Sequence, residues 1–112
     1  MGQFKWHKLF RPYAKPVKNA YKLAKKGKIR RKHYLDHLNK PEKELRKAIE
    51  SMTKQIKKHE YKIANRRAYY GPDWDTFSII RKTDQKYNWY VELKAFTENR
   101  DIYKGILENR KI

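Results

Sequence analysis

The stretch that decides the fold runs over residues 41–66 and reads PEKELRKAIESMTKQIKKHEYKIANR. Its apolar residues recur at alternating steps of four and three, and His59 occupies the one polar slot. This spacing predicts a single helix that buries one seam along its length. Glu42 and Glu44 favour a helix start there, because carboxylates complement the positive end of the helix dipole. The seam consists of Leu45, Ile49, Met52, Ile56, His59 and Ile63.

A second helix with a matching seam is predicted over residues 84–109, with Asp84 as its N-terminal cap. Its stripe follows the same steps and includes one cation, Arg100. Two helices with matching stripes and a moderate connection pack as an antiparallel hairpin. The stripe consists of Trp89, Leu93, Phe96, Arg100, Tyr103 and Leu107.

Aligning the two seams predicts the register of the hairpin. His59 then lies near Leu93, and Arg100 lies near Met52. The connection over residues 68–83 is rich in aromatic and aliphatic side chains. Because so much apolar surface is costly in a free linker, we expect the connection to fold back over the helices.

Two shorter helices are predicted ahead of the hairpin, over residues 17–26 and 29–38, with Gly27 ending the first. No stretch shows the alternation that is typical of a strand. The predicted fold is therefore a small all-α domain built on an antiparallel helical hairpin with shorter N-terminal helices. We expect residues 1–24 to be a basic lead-in or arm and residues 25–112 to form the helical domain.

The charge of the chain is large and unevenly placed. Among 112 residues, 30 are Lys or Arg and 12 are Asp or Glu, which gives a net charge of +18. Residues 1–40 hold thirteen of the bases and one acid, Asp36, so this part carries +12. A segment that repels itself so strongly favours a polyanionic partner, and phosphates fit that description.

Composition excludes several classes of protein. No apolar run approaches the roughly 20 residues of a membrane span. The absence of Cys removes disulfide frameworks, thiol nucleophiles and Cys-based zinc sites. Residues 1–23 lack the apolar centre of a secretory signal, and Pro12 and Pro16 interrupt the helix of a mitochondrial presequence. A membrane-active basic helix is less favoured because both long helices carry glutamates.

Aromatic residues lie between the bases of the N-terminal stretch. Cations meet phosphate and rings stack on unpaired bases, so this pattern is typical of a nucleic-acid partner. The same rings could instead cover the helical core beside a solvated basic arm. We expect RNA as the partner, and the sequence leaves DNA open. These aromatic residues are Phe4, Trp6, Phe10, Tyr13 and Tyr21.

The run over residues 30–37, RRKHYLDH, combines imidazoles, a phenol and several cations. A metal-independent ribonuclease needs one group to take the 2′-OH proton, one to protonate the leaving oxygen, and a cation beside the phosphorus. Histidine suits both proton roles. His33 and His37 share a helix face with Asp36 between them, but no third ligand is spaced for a metal, so no metal or cofactor is predicted.

His59 and Arg100 each have two interpretations. On the seam, His59 is a partly buried structural histidine, unless the N-terminal segment brings His33 close to it. Arg100 binds phosphate or packs its stem on Met52 and reaches solvent. The alternative for the run itself is a basic surface helix with two exposed histidines. The predicted site residues are His33, His59 and Lys32 for catalysis, and Arg30, Arg31, His37, Tyr34 and Arg100 for substrate binding.

A family resemblance rests on Lys25-Lys26-Gly27, Lys32-His33, residues 43–51, residues 54–63, Asp73-Trp74-Asp75, Trp89 and residues 105–110. On these stretches, the chain from about Lys25 to Arg110 resembles the C-terminal toxin domains of bacterial polymorphic toxins of the rearrangement-hotspot, LXG and contact-dependent-inhibition kinds. Similar sequences tend to have Gly-Gly where Arg30-Arg31 stand here, and Pro where Arg66 stands.

The resemblance implies a toxin that is delivered from the bacterial surface or by secretion and acts in the cytoplasm of a target cell. It also implies an acidic cognate immunity protein as partner, and it carries over Lys32, His33 and His59 as site residues. We therefore expect an RNA-cleaving toxin that acts on tRNA or rRNA by histidine acid–base chemistry. The alternative is a non-enzymatic RNA-binding protein associated with the ribosome, which needs only the cations and the aromatic residues.

Overall fold

The computed structural model describes residues 15–110. Most of the predicted lead-in over residues 1–24 lies outside this range, as do its four aromatic residues before Lys15. The described part contains five α-helices, one 3-10 helix and no strand, so the predicted all-α class is confirmed. The elements are α1 (Ala20–Lys25), α2 (Arg31–His37), α3 (Glu42–Ala64), α4 (Arg66–Tyr70), the 3-10 helix (Gly71–Thr76) and α5 (Ile79–Arg110).

The long helices α3 and α5 pack against each other as the hairpin that the matching seams predict. His59 in α3 lies edge-on to Phe96 in α5, with 5.0 Å between the ring centroids. Arg100, later in α5, donates a hydrogen bond from Nη1 to Oγ1 of Thr53, earlier in α3, at 3.3 Å. Because later residues of α5 meet earlier residues of α3, the helices run antiparallel in close to the predicted register.

The second long helix begins earlier than predicted, at Ile79. The Ser78 Oγ accepts a hydrogen bond from the main-chain N–H of Arg81 at 3.1 Å. This bond satisfies an N–H of the first turn that has no partner within the helix. Asp84 therefore lies inside α5, and its prediction as the cap is wrong because Ser78 holds the capping position.

The connection between the long helices folds back over them, as its apolar content predicts. Trp74 in the 3-10 helix is 8% exposed. The Tyr70 ring stacks on Trp74 at 5.6 Å and on Trp89 of α5 at 5.8 Å. These rings form a small aromatic cluster that closes the connecting end of the hairpin.

The main core lies at the opposite end of the hairpin, where α1 and α2 cover the start of α3 and the end of α5. A Cβ placed at Gly105 would lie 2.2 Å from Cγ of Tyr21, so only glycine allows α1 this close to α5. Arg110 closes the arrangement by donating from Nη2 to the Leu38 carbonyl at 2.7 Å. The buried cluster contains Ala20, Ala24, Tyr34, Leu45, Ile102, Tyr103, Ile106 and Leu107.

Candidate nucleic-acid interface

Residues 15–40 form a cationic segment that covers the main core. The segment holds ten Lys or Arg residues and one acid, Asp36. Arg30 and Lys40 are partly buried, and the other eight cations are exposed. The segment therefore presents a dense positive surface on one end of the hairpin. The exposed cations are Lys15, Lys18, Lys22, Lys25, Lys26, Lys28, Arg31 and Lys32.

A buried carboxylate, Glu98 of α5, holds the cationic segment in place. Its side chain is 2% exposed and accepts hydrogen bonds from the Val17 main-chain N–H at 2.9 Å and from Arg30 Nε at 2.8 Å. Lys94 Nζ pairs with the same carboxylate. Burial raises the pKa of Glu98, but the hydrogen bonds from Lys94, Val17 and Arg30 outweigh it and hold the pKa below its usual value. Arg30, predicted to bind substrate, is thus engaged inside the protein.

A second carboxylate of α5, Asp101, caps α1. Its Oδ2 accepts the main-chain N–H of Tyr21 at 3.2 Å. Asn19, at the capping position of α1 itself, makes no side-chain capping bond. A carboxylate at a helix N-terminus also complements the helix dipole. Glu98 and Asp101 were not among the predicted site residues, because a carboxylate on a charged helix carries no sequence signal of burial.

Two adjoining clefts, of about 440 and 360 Å³, lie between α1 and α5. They share Asn19, Asp101 and Lys104. Asp101 is already engaged by Tyr21, and the other acid on the walls is Glu108. With five cations against two carboxylates, the clefts attract anions. The cations on the walls are Lys18, Lys22, Lys25, Arg100 and Lys104.

The rings of the predicted residues His33 and His37 pack at a tilt against the ring of Tyr103 in α5. The His33 ring lies 4.4 Å from the His37 ring and 5.0 Å from Tyr103. Burial, followed by the nearby charges of His37 and Arg30, lowers the pKa of His33 from 6.5 to about 4. The imidazole is therefore uncharged at neutral pH, and its buried Nε2 makes no hydrogen bond to any residue within 15–110.

The other predicted residues of α2 lie in different environments. Lys32 is 92% exposed and pairs with Asp36 at 3.4 Å. Arg31 is exposed. Tyr34 is 7% exposed, in the main core, and its ring lies edge-on to Tyr21 at 6.0 Å. Lys32 and Arg31 can reach a ligand from the surface, whereas the Tyr34 ring packs inside the protein.

His59 is buried in the hairpin and bonded at both ring nitrogens. Its Nδ1 lies 2.9 Å from the Gln55 carbonyl, and its Nε2 lies 2.8 Å from Oε2 of Glu92. Both partners are acceptors, so the ring satisfies both bonds when it carries two protons. This geometry is typical of a histidine that ties two helices together.

The two histidines predicted for proton transfer contact different turns of α5. His33 contacts Tyr103, and His59 contacts Phe96. Seven residues correspond to about 10 Å along a helix axis at 1.5 Å per residue. The structure therefore does not place His33 and His59 beside the same turn of α5. It does bring Arg100 to the cationic segment, where Arg100 lines a cleft with Lys18. Their shared role in proton transfer stays a prediction.

Cations also lie over the aromatic cluster at the connecting end of the hairpin. Arg81 lies 3.7 Å from the Phe77 ring, and Lys82 lies 5.5 Å from the Trp74 ring. From the sequence, these rings were expected only to pack over the helices. The alternation of cations with aromatic residues on both sides of the connection was the signal for these cation–ring contacts.

Within residues 15–110, no group of three or more His, Asp or Glu side chains is placed to hold a metal ion. None of the helices described in that range is long and apolar enough to cross a membrane. No protein-family model matches the chain, and comparisons with curated proteins and with solved structures also found no match.

Proposed function

We propose that the protein binds RNA through the cationic segment and the clefts between α1 and α5. The observation that carries this proposal is the set of eight exposed cations, which Glu98 and Asp101 anchor to a rigid helix. Cations that are already held in place can neutralise phosphates without the conformational-entropy cost of ordering a free chain, and they release the counterions of the nucleic acid. Arg100 and Lys104 extend the same surface onto α5.

The test is the salt dependence of RNA affinity, measured by fluorescence anisotropy between about 0.05 and 0.2 M salt. The variant Lys22→Gln/Lys104→Gln removes two cleft cations and is expected to weaken RNA binding. The slope of the logarithm of the binding constant against the logarithm of the salt concentration should become shallower by about 0.7 for each phosphate contact that is lost. The variant Arg67→Gln/Arg81→Gln changes the net charge equally at two exposed positions near the connecting end of the hairpin, away from the clefts, and is the matched control. Equal loss in both variants, or no binding by wild-type protein, would overturn the proposed interface.

RNA cleavage by a toxin is the second candidate function, and the exposed cations Arg31 and Lys32 beside His33 on α2 favour it. A neutral imidazole can accept the 2′-OH proton, and Lys32 and Arg31 on the same helix can stabilise charge on the phosphate. Under this proposal, the protein enters a target cell, and an acidic immunity protein covers the cationic surface. An acidic reading frame directly downstream would support it.

The two functions differ in a direct assay. Purified protein is incubated with total RNA in EDTA, and cleavage gives discrete products whereas binding only shifts the RNA. The variants His33→Ala and His59→Ala, checked for folding by circular dichroism, are expected to lose cleavage if both transfer protons. Full toxicity and full cleavage by both folded variants would refute the histidine assignment.

A further inference from the structure

A shallow pocket of about 380 Å³ lies where α3 meets α4, away from the cationic segment. Two tyrosines and three lysines line it, and we call it the tyrosine pocket. Tyr61 is 55% exposed and Tyr69 is 48% exposed, which is unusual for large rings beside a buried core. The lining residues are Lys57, Lys58, Tyr61, Lys62 and Tyr69.

The Tyr69 ring is held in place although half of it is exposed. It lies edge-on to Tyr70 at 5.1 Å and to the buried Trp89 at 5.8 Å. Lys62 Nζ lies 4.9 Å from the centroid of the same ring. An aromatic ring fixed by its neighbours binds a flat ligand at a low cost in conformational entropy.

The charge around the tyrosine pocket restricts its occupant. Among the described residues, the lining surface is almost entirely carbon, from the tyrosine rings and the lysine stems, and no acid lines it. Exposed rings beside lysines match the two parts of an unpaired nucleotide, a flat base and an anionic phosphate. An apolar peptide would cover the rings but leave the three lysines without an anionic partner, so the charge favours a nucleotide.

We propose that the tyrosine pocket stacks an unpaired base, so that the protein prefers single-stranded RNA to duplex RNA. This inference rests on the proposed RNA binding and deepens it. Leu45, beneath the cationic segment, and Tyr61 are sixteen residues apart in α3, or about 24 Å along the helix at 1.5 Å per residue. A strand that reaches both surfaces must extend along the hairpin, and a duplex would bury its bases away from the tyrosines.

The test uses three probes of equal length: a uridine strand, an RNA duplex and a strand of the same backbone without bases. The variant Tyr61→Leu/Tyr69→Leu is expected to bind the uridine strand at least about fivefold more weakly, the effect of losing one stacked base. Tyr61→Phe/Tyr69→Phe keeps the rings and is expected to bind as wild type does. Tyr61→Leu alone changes a side chain that is more than half exposed, so it preserves the fold.

The outcomes separate this inference from the proposed function. Weaker binding of the uridine strand by the leucine variants, with unchanged binding of the strand without bases, supports the tyrosine pocket. Wild-type affinity of the leucine variants for the uridine strand, or equal losses on all three probes, overturns the pocket and leaves RNA binding by the cationic segment intact. Failure of wild-type protein to bind any probe overturns both.

Discussion

The substitution Glu98→Gln tests whether one buried carboxylate holds the cationic segment on α5. The carboxylate accepts hydrogen bonds from the Val17 main chain and Arg30, and it also pairs with Lys94. Glutamine keeps the volume but has one acceptor oxygen and a donor group, and it has no charge. At least one of the three donors that contact Glu98 must then face the side-chain NH₂ group of the glutamine, which cannot accept its hydrogen bond.

The expected loss of stability follows from the burial of the three side chains. Removing one partner of a buried ion pair costs about 3–5 kcal/mol. The side chains of Arg30 and Lys94 are 31% and 25% exposed, so water compensates in part. The lower end, about 3 kcal/mol, therefore applies, and this is a large fraction of the about 5–15 kcal/mol that stabilises a typical domain.

The assay is urea unfolding followed by tryptophan fluorescence, with hydrogen exchange over residues 17–37 as a local readout. With a slope of about 2 kcal/mol per molar, the Glu98→Gln midpoint should fall by about 1.5 M. Glu50→Gln makes the same chemical change in a pair with Lys54 in which both side chains are 70% exposed, and it should cost less than about 1 kcal/mol. Equal midpoints for the two variants would refute the anchoring role of Glu98.

The wild-type protein and the Glu98→Gln variant also give a pH test in which the direction of the stability change is predicted. Because folding lowers the pKa of Glu98, its stabilisation is present above the ordinary carboxyl value of 4.5 and is lost as the pH falls through the lowered value. The stability difference between wild type and Glu98→Gln should therefore shrink between about pH 6 and pH 3. A difference that stayed constant over this range would contradict the charged state of Glu98 in the fold.

Three further predictions concern packing and the histidines. Gly105→Ala places a Cβ 2.2 Å from Cγ of Tyr21, so it should destabilise the fold by about 1–3 kcal/mol although alanine has the better helix propensity. In urea unfolding, the stability loss of the double variant Gly105→Ala/Tyr21→Ala should differ from the sum of the losses of the two single variants. The pKa of His33 is lowered from 6.5 to about 4, so His33 stabilises the fold above pH 6.5 and loses this contribution as the pH falls. The melting temperature of the wild-type protein should therefore drop more steeply on acidification than that of His33→Gln. His59→Ala removes a ring that is 4% exposed and should cost about 3 kcal/mol in urea unfolding, whereas Glu92→Gln, at a side chain 52% exposed, should cost less than about 1 kcal/mol.

The hairpin could be predicted because its signal is local and repeated. Six seam positions in each long helix follow one period, and a shift of register would bring polar side chains into the seam. The start of α5 could not be placed so well, because Ser78 and Asp84 are both good capping residues and nothing local separates them. The 3-10 helix over Gly71–Thr76 decides between them by ending just before Ser78.

The candidate site was less predictable, because burial depends on contacts between distant residues. His33 and His37 stood out by type and spacing, yet the lowered pKa of His33 requires the α5 face that covers it. Tyr34 was predicted to bind substrate, and its side chain lies in the core. Arg100 and His59 were the two polar residues on the seams, and of these Arg100 lines the cleft beside α1.

By itself, the sequence determined the helical class, the antiparallel pairing of the long helices and the positive charge of the N-terminal third, because periodicity and charge are properties of neighbouring residues. Only the tertiary structure decided where that charge sits. Glu98 and Asp101 act on Val17 and Tyr21 across about eighty positions of sequence. A carboxylate becomes an anchor only when folding removes it from water and places hydrogen-bond donors around it.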